Sequence, residues 1–218
     1  MSYRRKRQKK SKICMLIQEN VSKNKKAYAI SAIVFILGIV AGIIMINCSN
    51  AETQKTISGY LTGFIDSIKN REYQVDGRKL LIKSIWSNLR IAVIIWIAGS
   101  SIIGIPLIYV SIGYKGMCIG YAISAIVATL GSPKGILFAL STMLFQNIIA
   151  IPCILALSVS SLKMYKVIMK SKGKDNIKFE IYRHSIFSIF MTIGLLMSSV
   201  VEVVISTTIT NNVIINFI

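Results

Sequence analysis

The chain has 218 residues, 54% of them hydrophobic and only 16% charged, with a mean hydropathy of +0.64. Soluble domains average about 25% charged residues, so the polar surface is too small to enclose a water-soluble globule. The net charge of +18 would suit nucleic acid by its size alone. The charges cluster at the ends of apolar runs instead, which excludes that reading and sets them against anionic membrane lipids, at about 1 kcal/mol per basic residue.

Residues 1–26 form a basic tail with ten Lys and Arg. Ala27 to Ile46 follows, twenty residues without one charge. A hydrocarbon core of roughly 30 Å takes about twenty apolar residues to cross as a helix. The first expected span is therefore 27–47, retained rather than cleaved, because Asn47-Cys48-Ser49-Asn50 is a poor signal-peptide site.

Residues 48–90 are the longest polar stretch, yet Ile57, Tyr60, Leu61, Phe64, Ile65 and Ile68 recur at helical spacing. Leu81, Ile82, Ile85, Trp86 and Leu89 repeat the pattern after the turn signal Asp76-Gly77. Two amphipathic interfacial helices are expected here, with Trp86 as an aromatic anchor. The alternative is a docking surface for a partner.

Further spans are expected at 91–112, 116–132, 135–162 and 185–209, with a turn at Ser132-Pro133-Lys134-Gly135. Residues 163–183 read as a charged loop and 211–218 as a short outer tail. The expected fold is thus all-α, a single five-helix membrane domain over 27–210. With the N-terminus inside, eighteen of the 26 Lys and Arg fall in inner segments, counting Lys115 as an inner turn. Basic segments stay on the cytoplasmic side, so the expected arrangement is N-in and C-out.

Within the spans, Gly38-x-x-x-Gly42 and Gly116-x-x-x-Gly120 put small residues on one helical face. That spacing lets two backbones approach closely. Packing inside the chain is the first reading, homo-oligomerisation the other. Pro106 and Pro152 each remove a backbone donor, and Pro106 is expected in the second half of the 91–112 helix. Gln146-Asn147, just before Pro152, either line a polar cavity or bond another helix. Glu202 is the one acidic residue in an apolar run, hence a functional suspect unless it sits at the interface.

Four cysteines make no CxxC pair, and Cys118 and Cys153 read as buried small apolar residues. His184 is the single histidine. No HExxH, GxSxG or phosphate-loop motif is present. The chain therefore reads as not an enzyme, with no catalytic residue, cofactor or metal.

Residues 88–152 carry a recognisable order. Asn88-Leu89-Arg90 heads a helix that ends Gly104-Ile105-Pro106-Leu107. Gly113-Tyr114-Lys115-Gly116, Ser132-Pro133-Lys134-Gly135 and a long helix with Gln146-Asn147 and Ile151-Pro152 follow. This resembles the stage II sporulation protein M family of endospore-forming bacteria. The resemblance implies a non-enzymatic scaffold in the mother-cell and septal plasma membrane. Its implied partners are stage II sporulation proteins D and P, which degrade peptidoglycan during forespore engulfment. Implied contacts are Tyr60, Phe64, Trp86, Asn88 and Arg90, with Arg90 capping the outer start of helix two. Wider relatives carry an acidic or histidine motif where Gln146-Asn147 stands. A membrane subunit of a small-solute or lipid transporter is the rival reading.

Overall fold

The structure, a computed structural model, describes Ser22 and residues 24–69, 76–101, 103–170 and 174–217, with only the backbone path for 68–69, 170, 174–176 and 206–217. Most of the basic tail, Cys14 included, lies outside the described residues.

Among the described residues six helices follow one another: α1 (Lys25–Asn47), α2 (Ala51–Lys69), α3 (Gly77–Ser100), α4 (Gly104–Leu130), α5 (Ser132–Lys170) and α6 (Lys174–Phe217). Among the described residues there is no strand. Five stretches of the described residues are long and apolar enough to cross a membrane: α1, α3, α4, Ser132–Met169 of α5 and Ile177–Ile205 of α6.

The number of such stretches matches the sequence expectation, but their bounds differ in the middle of the chain. The second runs from Gly77 to Ser100, not 91–112, and the third from Gly104 to Leu130, not 116–132. The second amphipathic segment is therefore the first half of α3 rather than a separate helix. Asp76 caps that helix by accepting from the Arg78 and Lys79 backbone N–H groups. Arg90 lies in the middle of α3 and caps nothing. The chain turns between Ser100 and Gly104, and a Cβ on Gly104 would overlap the Ala98 carbonyl. Pro106 falls in the first turn of α4, where a helix leaves its N–H groups unpaired anyway and no bond is lost. Lys115, expected in a turn, lies within α4.

The next turn is Gly131, whose φ of 79° is open to glycine at little cost. Ser132 to Gly135, expected as a turn, is instead the first turn of α5, closed by Gly135 N–H donating to the Gly131 carbonyl at 2.8 Å. Pro152 lies inside α5. Helix α6 continues through 211–217, expected as a tail, and most of the charged loop 163–183 is helical.

Helix α1 packs along α4, while α3, α5 and α6 share a second core. The first core joins Phe35, Ala98, Ile108, Ile112, Ile119 and Leu162. The second joins Ile91, Ile95, Ile154, Leu157, Met191 and Leu195, with Ile95, Leu157 and Leu195 fully enclosed. Facing outward are Leu37, Val110 and Ile189, each about 60% exposed or more. An apolar exterior over a buried interior suits lipid as the solvent.

The α1–α4 seam rests on glycine. A Cβ on Gly38 would overlap the Gly113 carbonyl, and one on Gly42 the Met117 carbonyl. From the other side, Gly116 and Gly120 meet the Phe35 and Ile39 carbonyls. Both glycine pairs thus face each other across one parallel helix contact. Lipid tails are as apolar as leucine, so close van der Waals packing is what holds such a pair.

Helix α2 buries Ile65 and touches α4 and α6. Gln54 Nε2 ties its start to the α1 end by donating to the Ile46 and Ser49 carbonyls at 3.1 and 3.2 Å. Tyr60 points outward, 78% exposed.

Two outcomes follow. Gly42→Ala should destabilise the purified chain by about 1–3 kcal/mol, the usual cost of overpacking. Gly59→Ala, where a Cβ meets nothing within 4 Å, should be neutral or stabilising by roughly 1 kcal/mol; thermal unfolding in detergent reads both. The Lys79 N–H bond holds the Asp76 carboxyl below the usual carboxylate range. A lowered folded pKa gives stability that is present at neutral pH and lost as pH falls through it. Amide protection at Arg78 to Leu80, relative to the unfolded chain at the same pH, should therefore fall below about pH 4, and Asp76→Asn should flatten that dependence.

Candidate functional site

Asn88 sits halfway along α3 and Lys115 near the middle of α4. The Lys115 ammonium donates to Asn88 Oδ1 at 3.2 Å. Asn88 Nδ2 donates to Ser199 Oγ at 2.9 Å and reaches the Leu195 carbonyl at 3.4 Å. One carboxamide, only 4% exposed, therefore joins a cation on α4 to a hydroxyl and a carbonyl on α6. Its two functions suit the task, since an amide accepts on one side and donates on the other.

Glu202 of α6 completes the cluster. It accepts from Ser84 Oγ of α3. With the Gln146 amide oriented to satisfy both groups, Gln146 Nε2 donates to Glu202 Oε2 at 2.7 Å and Oε1 at 3.1 Å. Ser198 Oγ donates to the Gln146 carbonyl at 2.9 Å. Four helices thus converge on one polar network holding a lysine and a glutamate. Asn147 Nδ2 bonds the Met143 carbonyl of its own helix at 2.8 Å.

These groups surround a cavity of about 260 Å³, lined by Leu80, Lys83 and Asn88 of α3, Lys115, Gln146, Asn147 and Glu202 among others. Leu80 lies one turn inside the start of α3, so the cavity reaches about 12 Å along the helix from there to Asn88. Among the described residues, no three His, Cys, Asp or Glu side chains could hold a metal.

The singled-out residues fall into three places. Asn88, Gln146, Asn147 and Glu202 come together around the cavity. Asn88 is buried and cannot present itself to a partner protein. Gly38, Gly42, Gly116 and Gly120 form the α1–α4 seam, and Pro152 follows Gln146 by less than two turns. Tyr60, Phe64, Trp86 and Arg90 are exposed, Trp86 at 61%. Cys118, expected to be buried, is exposed, while Cys153 is half-buried beside Gly194.

Sequence reasoning missed Lys115 and Ser84. A lysine between Gly113 and Gly116 looks like a turn. The signal that finds it is the glycine spacing 113, 116, 120, which marks one helical face running past position 115 and so a helix, not a turn, there.

A smaller cavity of about 120 Å³ lies between α5 and α6, beside His184, Ser160 and the Glu180–Arg183 ion pair. His184 Nδ1 and Ser160 Oγ are 2.9 Å apart. His184 is buried. This contact pins α5 to α6 at the end of the bundle opposite Glu202.

The sequence profile described as Stage II sporulation protein M matches residues 31–207. The chain belongs to the stage II sporulation protein M family. No curated protein and no solved structure matches it. Family membership and the five apolar helices together make it a sporulation-related membrane protein, and every residue of the polar network falls inside the matched range.

Removing one charge of the network leaves the other uncompensated, which in buried pairs costs several kcal/mol. Lys115→Met and Glu202→Gln should each lower stability by about 2 kcal/mol or more. The double substitution should cost less than their sum by about 1 kcal/mol. Detergent-solubilised unfolding measures the cycle, and strict additivity would show that the two charges do not sense each other.

Proposed function

We propose that the chain is a non-enzymatic membrane scaffold that gathers peptidoglycan hydrolases during engulfment of the forespore. The family match over residues 31–207 carries this reading. The proposed partners are stage II sporulation proteins D and P, and the proposed place is the mother-cell and septal plasma membrane. The bundle lies N-in and C-out, which puts α2 and the start of α3 on the outer, wall-facing side. Tethering confines the hydrolases to the membrane surface and raises their effective concentration there.

Several features support a docking role for this part of the molecule. Tyr60 and Trp86 are large aromatic side chains left exposed, the residue type that dominates binding hot spots. Arg90 is exposed at mid-height on α3, where a charge facing lipid costs about 2.5–3.5 kcal/mol on insertion scales. A partner helix supplying an acceptor would relieve that cost. A second reading, a membrane subunit of a small-solute or lipid transporter, draws on the polar cavity.

In co-purification from sporulating cells, Arg90→Ala and Trp86→Ala should each reduce recovery of the two hydrolases about tenfold or more, the effect of losing a hot-spot residue. Gly59→Ala should leave recovery unchanged. Full recovery with both Arg90→Ala and Trp86→Ala would remove this face as the contact. Recovery of an ATPase subunit in place of hydrolases would favour transport.

A further inference from the structure

We infer that the cavity between α3, α4, α5 and α6 is a binding site for a small zwitterion, a primary ammonium linked over a few bonds to a carboxylate or phosphate. The inference stands on the cavity and does not depend on the scaffold reading.

Two charged groups on the cavity wall, Lys115 and Glu202, are left incomplete in opposite senses. An ammonium carries three donors, and among the described residues Lys115 places one, on Asn88 Oδ1. The others meet no acceptor among those residues, and an unfilled charge within a membrane-spanning bundle is costly. An anionic oxygen placed there would fill them. Asn147 also lines the cavity.

Glu202 is the other pole. A carboxylate offers about four acceptor positions, and Ser84 and the two Gln146 contacts use three. The remaining position suits an ammonium. A pure anion would meet Glu202 and a pure cation would meet Lys115, so each single charge is repelled at one end. A molecule carrying both is favoured at both.

Size narrows the class. An apolar cavity of roughly 150 Å³ holds benzene, so about 260 Å³ takes on the order of ten non-hydrogen atoms by the same scaling. An α-amino acid or a phosphoethanolamine group fits within that. Lys83, exposed on the Leu80 side of the lining, places a further cation where an anionic end would enter.

The same chemistry comes from a free solute or from a phosphatidylethanolamine headgroup, and one experiment separates them. The full chain is placed in nanodiscs of phosphatidylglycerol, and thermal unfolding is followed with serine, O-phosphoethanolamine, ethylamine or inorganic phosphate added. A second set replaces half the lipid with phosphatidylethanolamine. A saturating zwitterion should raise the midpoint by about 5 °C, while ethylamine and phosphate should raise it far less. A response to the added solutes assigns a soluble ligand. A response to phosphatidylethanolamine alone assigns the lipid. Either supports the site.

Lys115→Met should abolish the rise. Glu202→Gln should weaken the zwitterion at least tenfold without weakening phosphate. Because both substitutions act on a network that also stabilises the fold, Ser87→Trp provides an independent check. Ser87 is exposed on the cavity wall, and an indole there should fill the cavity and remove the rise while leaving the chain folded. Three results would overturn the inference: no response in any arm, a response that survives Ser87→Trp, or phosphate acting as strongly as the zwitterions.

Discussion

Inside the hydrocarbon layer little water is available to complete a hydrogen bond, so a polar side chain there is costly unless its own helix or a neighbouring one satisfies it. The network around Asn88 and Glu202 follows from that constraint. Asn88 spends its acceptor on Lys115 and its donor on Ser199, and Glu202 draws donors from Ser84 and Gln146. Helices α3, α4, α5 and α6 are thereby held in one relative register. A one-residue slip of any of them would break bonds of this network. Such bonds are individually modest, averaging about 0.6 kcal/mol in membrane proteins, so their effect on specificity exceeds their effect on stability.

Helix α1 is held by a different force. Among the described residues it adds nothing to the polar network and packs instead through Gly38 and Gly42 against Gly116 and Gly120. The two devices meet in α4, whose glycine face touches α1 while Lys115, one residue before Gly116, reaches α3. Substitutions that loosen the seam should therefore be felt in the cavity.

The sequence made the five apolar stretches countable, because lipid imposes a length that twenty uncharged residues satisfy. The paired glycine motifs and the residues Asn88, Gln146, Asn147 and Glu202 were also visible as oddities in their surroundings. The helix ends in the middle were not. The turn between Ser100 and Gly104 carries no charge and sits within an apolar run, so hydropathy passes through it. Lys115, by contrast, resembles a loop residue until its flanking glycines are read as a packing face. Moving that lysine from a turn to mid-helix moves both spans, and it turns Asn88 from a surface contact into a buried link. Ser84 gives no signal alone, since serine is common on any helix face. Its role depends on a carboxylate 118 residues away.

Lys115 marks where the two arrangements part, and its position can be measured directly. In a chain with the native cysteines replaced, Ser101→Cys and Lys115→Cys are exposed in turn to a membrane-impermeant thiol reagent on each side of the membrane. Ser101→Cys should react from one face, and Lys115→Cys should stay unlabelled from that same face because it lies near the middle of α4. Equal labelling of both positions from that face would place Lys115 in a turn at the surface and dissolve the polar network with it.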